Sequence, residues 1–429
     1  MTALPARTLS SPACSTVAVT RAKLTGVRTA MLRVPGAPFG VAVTADGRWS
    51  FVAVAGGVEV LRRAAGALLP VRVRVIAVPG GAVGETISRD GRYLLAADDN
   101  GAVVISVARA ERGAPHAVLG LLDDPHGADS AIEVAVSPDD RFAFVTLEYA
   151  DQVAVFNLQK ALARGFGSKD YVGSVPLGVA AVGMAVSPNG RWLYATSEVG
   201  GPTRGAAGPG SGRAARPDAR TAVTPPTAVT PPTAATPPTA ATPPTAAETV
   251  PGADGRETTA AEQAGTLTVI NLRRAEADPK ASVAVSVDAG CQPVRVVTSA
   301  DGSDVWVTAR ASDDLLCFSA ARLLSAPAHA LVAIVRVGEA PVGLIAVRGG
   351  ALIVVADSNR FGQPGATANL DVVSVADALA GRPAVLGHLA SGLFPREMAV
   401  PPSGAGVLLV TNYGSGQLEA VGVSTLPGA

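Results

Sequence analysis

Short apolar runs, each interrupted by a small polar turn, recur along the chain at a nearly constant interval. The clearest copies read Val41-Ala42-Val43-Thr44-Ala45-Asp46-Gly47-Arg48, Val134-Ala135-Val136-Ser137-Pro138-Asp139-Asp140-Arg141 and Met184-Ala185-Val186-Ser187-Pro188-Asn189-Gly190-Arg191. Further copies centre on Asp90-Gly91 and Asp301-Gly302, and two degenerate ones on Gly349-Gly350 and Ser403-Gly404. The turns fall at residues 46, 90, 139, 189, 301, 349 and 403, which are 44 to 54 apart except for one gap of 112. Taking out residues 200–264, 65 positions, reduces that gap to 47 and restores the period. Such a period belongs to propeller-type repeats, whose single unit cannot bury its own faces and must stack on its neighbours.

Each unit has a fixed order. An inner strand precedes the Asp-Gly-type turn, a second strand such as Phe142-Ala143-Phe144-Val145-Thr146 follows, and a third such as Gln152-Val153-Ala154-Val155-Phe156 comes after a loop. A fourth strand, for example Ala333-Ile334-Val335-Arg336-Val337, ends in Gly or Pro before the next copy. The pattern predicts an all-β, seven-bladed β-propeller of four-stranded antiparallel blades. Residues 15–20 and 27–34 precede the first full copy, and 417–423 is the last strand, so N-terminal strands are expected to complete the last blade and close the ring. Short helices over 158–164, 320–324 and 375–380 are expected between third and fourth strands.

The domain organisation is a propeller over residues 1–199 and 265–429, divided by a Pro/Thr/Ala-rich insertion over 200–264. Within it Thr-Pro-Pro recurs every six residues from Thr224 to Pro244. Proline removes backbone donors and fixes φ, so neither helix nor sheet propagates through such a run, and one long disordered loop is expected.

Composition narrows the function. With 35 acidic and 35 basic residues the net charge is zero, and no Lys/Arg run offers the basic face a nucleic-acid binder needs, so no nucleic-acid partner is expected. Arg336, Glu339 and Arg348 interrupt the most apolar region, which leaves no stretch of spanning length, so no membrane partner is expected. Residues 1–24 lack a continuous apolar signal core, which points to a cytoplasmic location. Cys14, Cys291 and Cys317 form no C-x-x-C pair and read as incidental thiols rather than a disulfide framework or a zinc site. His116 and His126 flank a loop with Asp123, Asp124 and Asp129, which reads as a solvated loop; no metal and no cofactor are expected.

Aligning the copies places Gly40, Gly84, Glu133, Gly183, Arg295, Gly343 and Glu397 at one equivalent position near the start of the inner strand. Arg396 lies one position earlier in its copy and Glu85 one later. Charge on an otherwise apolar inner strand is costly unless paired or hydrated, so these residues should gather at a wet channel mouth. The loops joining second to third strands share that face and add Arg310, Asp357, Asn359, Arg360 and Asn412. Such a polar ring is either a ligand site or a Glu–Arg network that locks blades together. The Asp-Gly turns lie on the opposite face, where each Asp caps its own turn.

The unit Met184-Ala185-Val186-Ser187-Pro188-Asn189-Gly190-Arg191-Trp192-Leu193-Tyr194-Ala195-Thr196, with Val410-Thr411-Asn412, resembles the bacterial YVTN-type β-propeller repeat. Outside the insertion the resemblance covers nearly the whole chain and extends to the wider lactonase-like seven-bladed propellers. Members of that group include sugar-lactone hydrolases, while related propellers carry haem or bind partners, and repeat motifs specify fold rather than chemistry. No histidine falls on an inner strand, which argues against haem. Two functions follow. One is a non-catalytic binding or scaffold propeller that takes a small polar ligand or a protein on its charged channel face. The other is a lactonase-like hydrolase, with Glu133 or Glu397 as general base and Arg295 as the electrophilic clamp.

Overall fold

The structure, a computed structural model, describes residues 9–12, 14, 21–127, 130–200, 249–251, 257–259, 264–360, 367–401 and 406–428. It divides into two units, one of residues 1–201 and 260–429 and one of 202–259.

The larger unit is a seven-bladed propeller of four-stranded antiparallel sheets. Blade 1 comprises Val41–Val43, Trp49–Val54, Gly57–Arg62 and Val71–Ala77; blade 2 comprises Glu85–Ile87, Tyr93–Asp98, Gly101–Ser106 and Val118–Asp123. Blade 3 comprises Ala131–Val136, Ala143–Leu147, Gln152–Phe156 and Tyr171–Pro176; blade 4 comprises Val179–Val186, Trp192–Val199, Ala264–Asn271 and Val283–Cys291. Blade 5 comprises Pro293–Thr298, Asp304–Ala309, Asp314–Ser319 and Leu331–Arg336; blade 6 comprises Pro341–Val347, Leu352–Asp357, Asn369–Ser374 and Val385–Ala390. Blade 7 takes Pro395–Ala399, Val407–Asn412 and Gln417–Gly422 from the end of the chain and its outer strand, Thr29–Arg33, from the beginning. Thr29 pairs with Val421 and Arg33 with Gln417, so the 27–34 segment closes the ring as the pattern predicts. Residues 15–20 lie outside the described ones.

The turn chemistry explains why the repeat is so legible. In blade 4 the Ser187 hydroxyl donates to Asn189 Oδ1 at 2.8 Å and accepts from the Trp192 amide, while Asn189 Oδ1 also accepts from the Arg191 amide. Thr44–Asp46, Ser88–Asp90, Ser137–Asp139 and Ser299–Asp301 repeat this device. Each turn is therefore satisfied by its own side chains, and its Asp has a structural duty. Five short helices follow the third strands of blades 2 to 6; Val107–Arg112 and Leu272–Ala277 are additional to the three expected. At six residues each they are too short for hydrophobic periodicity, but Ser106 and Asn271 cap them from the preceding strand.

Blades are joined by side-chain clamps at the inner wall. Thr146, Thr196, Thr308 and Thr411 each accept from an inner-strand amide of their own blade. Each also donates to a carbonyl of the next blade: Val182, Val294, Val342 and Phe39 respectively. Thr411 thus ties blade 7 to blade 1 at 2.6 Å, a second closure of the ring.

The N-terminal segment makes further attachments. Cys14 and Cys291 form a disulfide with Cα atoms 5.4 Å apart, which corrects the reading of both as incidental thiols. They are 277 residues apart, so no local spacing pattern could reveal the pair. Arg21 Nη1 lies 2.8 Å from Asp371 Oδ2 in blade 6, and the Leu24 amide donates to His388 O on the outer edge of that blade. The chain start is strapped over the ring as well as stitched into it.

In the smaller unit, Thr249–Pro251 and Glu257–Thr259 pair antiparallel as a hairpin, and the Thr-Pro-Pro repeat lies outside the described residues. In the propeller, the Gly200 amide donates to Ala264 O at 2.8 Å, so the strand ends flanking the insertion are already adjacent. Replacing 201–263 by a short turn is expected to leave the melting temperature within about 3 °C, because loop closure depends only weakly on length. A larger fall would show that the insertion stabilises the propeller.

Candidate functional site

Glu133, Arg295 and Glu397 come from alternate blades, 3, 5 and 7, at the same register. At each, the inner strand departs from regular pairing, with irregularities between Ala131 and Val134, Pro293 and Val296, and Pro395 and Met398. A bulge re-aims one side chain and leaves its amide without a ladder partner. The clamp threonines supply that partner. Between the charged blades lie Gly183 and Gly343, where a Cβ would collide with the Val294 and Arg396 carbonyls. Glycine there lets neighbouring inner strands approach and leaves the space to the charged residues.

The structure brings the three together. Arg295 Nε is 3.1 Å from Glu133 Oε2, and Arg295 Nη2 is 2.5 Å from Glu397 Oε1. Arg295 Nη1 also donates to Val182 O at 3.2 Å, and the arginine side chain is only 6% exposed. Two carboxylates share one guanidinium, and Glu397 has the closer contact. Burial raises the Glu133 pKa to about 8, only partly opposed by Arg295 and reinforced by Glu397. Glu133 therefore takes up a proton at a higher pH than a free carboxyl does.

A second tier surrounds this triad. Arg310 Nη2 meets Glu198 Oε2 at 2.8 Å and Gln292 Oε1 at 3.0 Å. Burial raises the Glu148 pKa, with Glu198 adding to the effect and Arg360, Arg310 and Arg396 opposing it. Arg396 packs into an aromatic wall, its guanidinium carbon 3.7 Å from the Phe39 ring centroid, 5.0 Å from Phe394 and 5.5 Å from Tyr413. Arg360, exposed at the rim, sits 5.9 Å from the same Phe394 ring. Burial and the neighbouring Arg295 lower the Arg396 pKa to about 9, still cationic at neutral pH. Pattern reading of the sequence did not single out Phe39 and Phe394; the signal was their position at the entry to the inner strands of blades 1 and 7, Phe39 immediately before Gly40 and Phe394 immediately before the strand Pro395–Ala399.

Other residues expected at the mouth lie elsewhere. Asp357 and Asn412 are fully buried within their blades. Asp357 stands beside Asp371 and 4.0 Å from Arg21, and Asn412 donates to Glu419 and accepts from Ser391. Asn412 follows the clamp Thr411 at the end of a second strand, and Asp357 follows Ala356, which holds the equivalent place in blade 6 but has no hydroxyl to clamp with. Alternation therefore turns residue 411 towards the next blade and residues 412 and 357 to the opposite face of their sheets, where they meet side chains of the adjacent third strand. Neither is open to a ligand. Glu85 is 8% exposed and packs against Gly40 in the wall between blades 1 and 2, not with the triad. Asn359, whose amide donates to Glu339 O, precedes Arg360 with a φ of 47°. Near His116 and His126, His126 Nδ1 contacts Asp124 Oδ1 at 2.7 Å, and the described residues contain no group of three metal-ligating side chains.

No family model matches the chain, and no curated protein matches it by sequence. Solved structures do. Hydrazine synthase of Kuenenia stuttgartiensis is 12% identical with a TM-score of 0.61, over 96% of this chain and 100% of that one. A chain of the mitotic checkpoint complex is 12% identical with a TM-score of 0.60, over 98% and 99%. At that identity the likeness establishes the seven-bladed fold alone.

Proposed function

We propose that the protein is a non-catalytic binding propeller that takes a small polar ligand at the channel mouth formed by Glu133, Arg295 and Glu397. The convergence of three charged side chains from alternate blades on one axial position supports this reading most directly. A network needed only to lock blades would join neighbours, as the clamp threonines already do. This one instead spans blades that glycine-bearing inner strands separate, and burial shifts one of its acids towards the protonated form that can donate a hydrogen bond. Arg295→Gln is expected to weaken a ligand found by thermal shift across neutral sugars and sugar lactones by about tenfold or more, while leaving a folded protein. If no compound stabilises the intact protein and the substitution costs several kcal/mol, the triad is a structural lock.

Glu133 also supports a second reading, a lactonase-like hydrolase in keeping with the repeat resemblance. A carboxyl with a pKa of about 8 beside a guanidinium is suited to exchange a proton near neutral pH while Arg295 polarises a carbonyl. Hydrolysis of a sugar-lactone panel that Glu133→Gln abolishes without loss of binding would establish it.

For the compartment, we infer an oxidising one in place of the cytoplasm, on the strength of the Cys14–Cys291 disulfide. No helix among the described residues is long and apolar enough to cross a membrane. Recovery of both thiols in reduced form from native material, alkylated at lysis, would return the assignment to a reducing compartment.

A further inference from the structure

The four arginines of the mouth are not equally employed. Arg295 is taken by Glu133 and Glu397, and Arg310 by Glu198 and Gln292. Arg396 and Arg360 make no ion pair among the described residues, and the buried Arg396 Nε makes no hydrogen bond. A guanidinium over an aromatic face keeps its N–H groups directed outward in its own plane, a fixed fork for a planar or tetrahedral anion. Beside it the surface turns apolar: Leu393 is 64% and Tyr413 38% exposed, and backbone bonds from Tyr413 to Phe394 and from Gly414 to Leu393 hold the two together.

Resting on the binding reading above, we propose that the ligand is a small organic anion whose carboxylate or phosphate is held by Arg396 and Arg360. Its apolar body lies against Leu393, Phe394 and Tyr413. The charge balance of the mouth agrees. Burial shifts both Glu133 and Glu148 towards their neutral forms, so the four arginines are less than fully balanced by the carboxylates around them. Glu397 and Glu198, carboxylates that would compete with the anion for Arg396 and Arg360, are already engaged by Arg295 and Arg310.

The test is titration calorimetry of the full chain with phenyl phosphate, benzoate, inorganic phosphate and the neutral benzamide. Phenyl phosphate and benzoate are expected to bind about tenfold or more tightly than benzamide, and to weaken as salt rises from about 0.05 to about 0.5 M. Arg396→Met is expected to lower phenyl phosphate affinity by about tenfold, and Arg360→Gln, at an exposed position that does not threaten folding, by several-fold. Tyr413→Ser and Leu393→Ser should weaken phenyl phosphate but not inorganic phosphate, which separates the apolar subsite from the charge. A preference for phenyl phosphate over benzoate would point to a phosphate ester, and the reverse to a carboxylic acid. Equal affinity for benzamide and benzoate overturns the proposal, as does unchanged anion binding in the Arg396→Met/Arg360→Gln double variant or no anion binding at all. If neutral sugars bind in an Arg295-dependent way while the anions do not, the anion assignment falls and the binding reading stands. If neither set binds, both fall.

Discussion

A chain lacking residues 1–34 is expected not to fold as a monomer. Three attachments are lost together. The outer strand of blade 7 goes, stripping Gln417–Val421 of five paired residues and leaving a raw edge where the ring should close. The Cys14–Cys291 disulfide goes, at a cost of about 2–5 kcal/mol in proteins that have one. Arg21 goes as well, and it is the cation against Asp371 and Asp357, two buried carboxylates whose pKa values burial already raises. Removing one partner of a buried ion pair costs about 3–5 kcal/mol. These losses together rival the roughly 5–15 kcal/mol by which a folded protein is stable. Intermediate variants apportion the effect. Cys14→Ser and Arg21→Ala should each lower the melting temperature and still give a folded protein, because Thr29–Arg33 remains in place. A truncated chain that melts like the intact one would show that the ring closes without its N-terminal strand.

How much of this was readable depends on how far each interaction reaches. The turns were legible because Ser187, Asn189 and their counterparts satisfy one another within five residues. The alignment of Glu133, Arg295 and Glu397 was legible because a repeat carries equivalent positions to equivalent radius, whatever their separation along the chain. The other attachments of the N-terminus left no local trace: Arg21 meets Asp371 350 residues away. Asp357 and Asn412 were misplaced because a loop-side position was read as pointing into the channel. Alternation sends them instead to Asp371 and Glu419 on the third strands of their own blades. The aromatic wall needed blades 1 and 7 brought together, which only the closed ring does.

Glu85→Gln is expected to stabilise the protein at alkaline pH and to leave it nearly unchanged at pH 5. Glu85 lies in the wall between blades 1 and 2, neither of its oxygens makes a hydrogen bond, and no charged neighbour contributes to its shift. Burial raises its pKa from 4.5 to about 8 against the opposing influence of the Ala42 and Ala53 backbone. The sign follows from proton counting. Below 4.5 both folded and unfolded chains hold the proton, so the group does not alter stability. Between 4.5 and about 8 only the folded chain holds it, so stability falls as pH rises, at up to about 1.4 kcal/mol per pH unit, and levels off above about 8. The wild-type protein should thus lose a few kcal/mol between pH 5 and pH 9 at this residue, with Glu133 adding to the slope in the same sense. This is opposite to acid denaturation through ion-paired carboxylates. Glutamine copies the protonated side chain and removes the titration, so melting curves of the two proteins should coincide near pH 5 and separate in favour of Glu85→Gln by pH 8.5. Glu133→Gln tests the second contribution, and the double variant should show a nearly additive gain because the two sites share no partner. Parallel curves across that range would mean that Glu85 ionises in the folded protein as readily as in the unfolded chain, and that the wall between blades 1 and 2 admits enough water to solvate it.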